Sequence, residues 1–199
     1  YRDFLILARR LEPYATVIPA IFAEFSIPQF TDLQRPMKDH PLVVLMESLF
    51  AIQKHDYQYQ DVMRLLHTEL LLPEGMSLAE FRDAVDTTDN HLVRTGIAGK
   101  QRWTQPAAWR YFQRNPDADD PQMDPEAAKT AQINAIKTLI AQTVPTLLKQ
   151  WQTAKTGAEA AGDLYRWLDA NGVVDQLRAW RQTASDAGDL TRSRAHEQA

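Results

Sequence analysis

Apolar positions follow two different patterns along this chain, and the change between them comes early. Phe4-Leu5-Ile6-Leu7-Ala8 is a short, nearly continuous apolar run. Such a run suits a strand buried on both faces, as in a parallel sheet. Over residues 11–25, Tyr14, Val17, Ile18, Ile21, Phe22 and Phe25 recur at helical spacing. Pro13 fits the first turn of that helix, and Pro19 should bend or split it. Ile27-Pro28-Gln29-Phe30-Thr31 reads as a second short strand. Strand, helix and strand predict one right-handed βαβ unit.

After this the pattern is helical only. His40-Pro41 opens a helix to about Lys54, with Leu42, Leu45, Met46, Leu49 and Phe50 on one face. Asp56 is read as the N-cap of a helix over residues 57–71. Ser77-Leu78-Ala79-Glu80 is a capping box for a helix to about Thr95, with Gly96 as its stop. Residues 97–124 read as irregular, with a short helix near residues 109–113. Asp124-Pro125-Glu126 starts a long helix that carries Ile133, Ile136, Ile140, Val144, Leu147 and Trp151, with Pro145 as a kink point. Thr156-Gly157-Ala158-Glu159 opens another helix, ended by Asn171-Gly172. A last helix carries Val174, Leu177 and Trp180, and its stripe fades from Thr183, where the tail is expected to fray or continue into further protein. The fold class predicted is mainly α: a small N-terminal parallel βαβ unit over residues 1–38, then an all-helical bundle over residues 39–199.

Composition narrows the function classes. Hydrophobic content of 44% and charged content of 24% are ordinary globular values, so a packed core is expected. A formal net charge of −4 argues against a stand-alone, charge-driven nucleic-acid binder. With no cysteine, disulfides, cysteinyl zinc sites and iron–sulfur clusters are excluded within these residues. No apolar run reaches the roughly 20 residues of a membrane span. The chain opens Tyr1-Arg2-Asp3 rather than with Met, so it is expected to be a piece of a longer protein.

Tested for chemistry, most motifs fail. No Gly-x-x-x-x-Gly-Lys-Ser/Thr loop is present, so these residues have no phosphate cradle for nucleotide hydrolysis. The nearest Gly-Lys, Gly99-Lys100, reads as a turn. His40, His55, His67, His91 and His196 form no His-Glu-x-x-His pair. The acids Asp117, Asp119, Asp120 and Asp124 lack the glycine of a calcium loop and read as a solvated loop.

The most suggestive stretch runs from Lys100-Gln101-Arg102-Trp103 to Trp109-Arg110-Tyr111-Phe112-Gln113-Arg114. It holds cations and aromatics and no acid. Arg102, Arg110 and Arg114 can neutralise phosphate, and aromatic faces can stack bases. The alternative is that Trp103, Trp109 and Phe112 anchor a long connection onto the core with the cations outside, which the usual burial of aromatics favours.

Several phrases in order carry a resemblance. Arg2-Asp3-Phe4-Leu5-Ile6-Leu7-Ala8-Arg9, then Ser26-Ile27-Pro28-Gln29-Phe30, Arg35-Pro36-Met37 and His40-Pro41-Leu42 resemble the start of the second motor domain of UvrD-like helicases, where a helical domain is inserted next. Within that superfamily the wording is similar to AddB/RexB-type nuclease subunits, including residues 59–66, Asn90-His91-Leu92-Val93-Arg94-Thr95-Gly96 and Trp103-Thr104. The resemblance is strong over residues 1–104 and architectural beyond.

The resemblance implies a parent that is an ATP-dependent deoxyribonuclease, uses ATP and magnesium, and pairs with an AddA/RexA-type helicase-nuclease. It implies processing of double-strand DNA ends for recombinational repair in the cytoplasm. The piece itself would be non-catalytic and hold no cofactor. Arg9 is the nucleotide-contact candidate; Arg35, Arg102, Arg110 and Arg114 are the DNA-contact candidates. Arg10-Leu11-Glu12-Pro13 lacks the second arginine of active motors, which fits a helicase-like element that does not work as a motor. A helical protein–protein interaction module without a DNA role is the alternative.

Overall fold

In a computed structural model, residues 4–30, 37–111 and 125–199 are described. They form no strand, which overturns the expected βαβ unit; the protein is helical throughout its regular structure. The reason lies in where hydrogen bonds go. A helix satisfies its own backbone, whereas a strand needs a neighbour for every N–H and C=O along it. Phe4 to Ala8 and Ile27 to Phe30 are extended but have no partner strand.

The chain divides into two compact units, Tyr1–Met37 and Lys38–Ala199. The first has a 3-10 turn at Glu12–Tyr14 and helix α1 at Val17–Glu24. Pro19 splits the expected single helix. It has no N–H for the carbonyl four residues back, so the helix starts at Val17 and keeps Pro19 in its first turn, where no intrahelical donor is needed. No described residue of this unit is buried; Leu7 is 84% exposed.

The second unit holds α2 (Pro41–His55), α3 (Tyr59–Leu66), α4 (Leu78–Thr95), α5 (Lys100–Thr104), α6 (Pro125–Thr153), α7 (Gly157–Ala170), α8 (Val173–Asp186) and α9 (Leu190–Gln198). Local chemistry sets most boundaries. The His40 ring accepts the Leu42 N–H at 3.2 Å, and Pro41 occupies the first turn. Ser77 and Glu80 form the reciprocal capping box, and Gly96 ends α4 at φ +63°. Thr156 caps α7 by accepting from the Glu159 N–H at 3.1 Å.

Three expectations are corrected. Asp56 is the left-handed C-cap of α2, and Gln58 precedes a shorter α3. The short helix lies at Lys100–Thr104 rather than near residues 109–113. The tail forms α9, capped by Asp189 accepting from the Arg192 N–H at 3.0 Å.

Helix α6 is the spine, about 44 Å long at 1.5 Å per residue. Ile133, Ile136, Ile140, Val144 and Leu147 are all fully buried along one stripe. Against it pack α2, α4, α5 and α7, with Leu45, Leu49, Phe81 and Leu92 among the core residues. Pro145 is accommodated inside a continuous helix. Two indoles fasten α6 to α7: Trp167 donates to the Thr143 carbonyl at 2.9 Å, and Trp151 to the Ala160 carbonyl at 3.1 Å. Among the described residues no helix is long and apolar enough to cross a membrane.

Candidate nucleic-acid interface

The cation-rich stretch after α4 is built by three pieces of local geometry. Asp56 and Tyr57 both adopt left-handed backbone, at φ +53° and +57°. That turn meets the start of α5: the Gly99 N–H donates to the Tyr57 carbonyl at 3.3 Å, and the Lys100 N–H to Asp56 Oδ1 at 3.3 Å. Gly99 sits at φ +89°, and a Cβ there would lie 3.4 Å from Asp56 Oδ2. Only glycine takes this backbone without strain. Helix α5 then sends Trp103 fully into the core and leaves Arg102 exposed.

Residues 105–111 run extended and antiparallel to α6, held by a ladder of side chains. Lys137 Nζ donates to the Gln105 carbonyl at 2.7 Å and the Ala107 carbonyl at 2.5 Å. Asn134 accepts the Trp109 N–H at 2.9 Å and donates to the Trp109 carbonyl at 2.8 Å. Thr130 Oγ1 accepts the Tyr111 N–H at 3.2 Å. Thr130, Asn134 and Lys137 are spaced four and three apart, which puts them on one helix face. Odd-numbered residues of the strap bond to α6, and Arg110, between two of them, is exposed. Side chains alternating along an extended chain account for this.

The aromatics are anchors. Trp103 and Trp109 meet edge to face at 4.9 Å between ring centres, and Trp109 and Tyr111 are buried. Buried rings cannot stack bases while the strap is docked. Of the two readings of this stretch, anchoring describes Trp103 and Trp109; Phe112 lies outside the described residues.

The cations form a second layer. Lys137 is buried with its ammonium 5.5 Å from the Trp109 ring centre, and burial lowers its pKa. Arg94 and Lys129 flank the Tyr111 ring at 5.8 and 5.2 Å. His91 lies 5.7 Å from Trp109; burial, then the Arg94 charge, lowers its pKa, so it is neutral at pH 7. Arg94, Arg110 and Lys129 thus converge from α4, the strap and α6. Arg94 and Lys129 are far from the strap in sequence. The signal that could have revealed the docking is the polar trio Thr130, Asn134 and Lys137 on one face of an otherwise apolar helix.

No family model matches the chain. Curated proteins do. It is 79% identical over 199 residues to the B subunit of the ATP-dependent helicase/deoxyribonuclease of Lacticaseibacillus casei (strain BL23), covering 100% of this chain and 17% of that protein. The proteins of the same name from Lactiplantibacillus plantarum (43% over 202 residues) and Enterococcus faecalis (35% over 211 residues) also match 100% of this chain and 17% of their own length. The chain is a segment homologue within the family of ATP-dependent helicase/deoxyribonuclease B subunits. The likeness read from residues 1–104 therefore extends through residue 199.

Against that family, the residues singled out fall in different places. Arg9 is exposed at a bend in the first unit. Arg102 and Arg110 are exposed on α5 and the strap. Arg35, Arg114 and the acids at 117–124 lie outside the described residues. Among the described residues no group of three or more His, Asp or Glu could hold a metal ion.

Proposed function

We propose that this segment is a non-catalytic, helicase-like module of an ATP-dependent helicase/deoxyribonuclease that processes DNA ends in double-strand break repair and recombination. The helical unit lies beside DNA and meets phosphate through Arg102 and Arg110, joined by Arg94 and Lys129. The observation that carries this is the split of the strap into two layers: aromatics buried against α6, arginines turned out. Arg35 and Arg114 enter the same reading from sequence. The whole protein would bind ATP and magnesium, act with an AddA/RexA-type partner and work in the cytoplasm. Arg9 is the residue of this segment that would approach nucleotide.

The test is Arg102→Glu with Arg110→Glu in the intact two-subunit enzyme, with DNA-end affinity measured against salt. Each lost phosphate contact should flatten the log–log salt slope by about 0.9. Unchanged affinity and unchanged slope would remove the proposal. The acidic balance, −4 overall, favours a second reading, a protein-interaction module. On that reading the same variants weaken association with the partner and leave DNA binding alone.

A further inference from the structure

His40 and His196 come together from the two ends of the helical unit. His40 Nδ1 accepts the Leu42 N–H at 3.2 Å as the cap of α2. An accepting nitrogen carries no proton, so in the neutral ring the proton sits on Nε2. That Nε2 is 3.0 Å from His196 Nδ1. His40 therefore donates, His196 accepts, and both rings are neutral. A shared metal ion does not fit: it would take His40 Nε2 and move the proton to Nδ1, against the Leu42 N–H.

Protonation of either ring sets two N–H groups face to face. A proton on His196 Nδ1 opposes His40 Nε2–H. A proton on His40 Nδ1 opposes the Leu42 N–H and removes the cap. What the pair holds is α9. No described side chain of that helix is buried. It packs on α8, where the Trp180 ring lies 5.6 Å from His196 and Arg181 meets Glu197 at 3.7 Å.

We propose that the His40–His196 hydrogen bond is a proton-operated latch, docking α9 on the head of α2 at neutral pH and releasing it on acidification.

The charges around the pair set its direction. Burial, then the neighbouring His196, lowers the pKa of His40. Burial, then Arg192, lowers that of His196, and Asp189 partly offsets this. From α8 the facing charge is Arg181, held by Glu197; Lys38 and Asp39 lead into α2. With both values lowered from 6.5 in the folded chain, docking is complete above that pH. It is lost as pH falls below 6.5 and through the lowered values.

Residue-resolved hydrogen exchange on the 199-residue chain, corrected for intrinsic rates, tests this. Between about pH 6.5 and 5.5, α9 protection should fall up to about tenfold for each proton taken up, while α4 and α6 hold theirs. His196→Phe keeps a ring against Trp180 but should give low, pH-independent protection of α9. His40→Asn keeps a cap acceptor for α2 and should do the same. Protection of α9 that ignores pH in the unmodified chain would overturn the latch, and so would a pH dependence that survives in both variants.

Discussion

Both units of this chain carry apolar runs, but with opposite fates. In Tyr1–Met37 the side chains of Phe4, Leu5, Leu7 and Phe25 stay exposed, and no described residue is buried. In Lys38–Ala199 the stripes of α2, α3, α4 and α6 close on one another into a core. An amphipathic helix needs one apolar neighbour, and several lie within reach along the chain. An extended run apolar on both faces needs strands beside it and layers on each side. Apolar density alone does not make a fold; the partners must be present.

The largest effect separates the units. Ile136→Ala in the spine should cost about 2–5 kcal/mol in urea unfolding. Leu7→Ala should stay within about 0.5 kcal/mol, as exposed substitutions do. Comparable losses from both would erase the distinction.

Next is the strap. Lys137→Met keeps the stem and removes the bonds to Gln105 and Ala107, at a cost of about 1–3 kcal/mol. Exchange at residues 105–111 should rise with it; an unchanged strap would mean the ladder along α6 does not hold it. Thr156→Ala removes the cap of α7 and should cost about 1 kcal/mol, read from the same urea curves. Smallest is an electrostatic effect. Arg94→Gln removes the like charge beside His91, so the His91 pKa should rise toward 6.5, seen by NMR titration. Because that pKa is lowered in the fold, acid costs stability below pH 6.5, and the variant should lose less. A fixed His91 pKa would put Arg94 too far away to matter.

What could be read from sequence was what local chemistry decides. His40-Pro41, Ser77 with Glu80, Gly96 and Thr156 mark helix ends because their side chains or backbone act within a few residues. What could not be read depends on distant partners. The strand expected at Phe4 to Ala8 was a local pattern whose outcome was non-local. Asp56 has the residue type of an N-cap, yet its left-handed backbone closes α2 and serves Lys100 far along the chain. At the candidate interface, Arg102 and Arg110 were visible as a cluster. Arg94 and Lys129 reach Tyr111 only once α4 and α6 are packed.

Removing residues 1–37 and unfolding the remainder in urea tests the central claim, that Lys38–Ala199 carries its own core. The account predicts one cooperative transition with stability within about 1 kcal/mol of the whole chain. A noncooperative melt, or a loss of several kcal/mol, would contradict it.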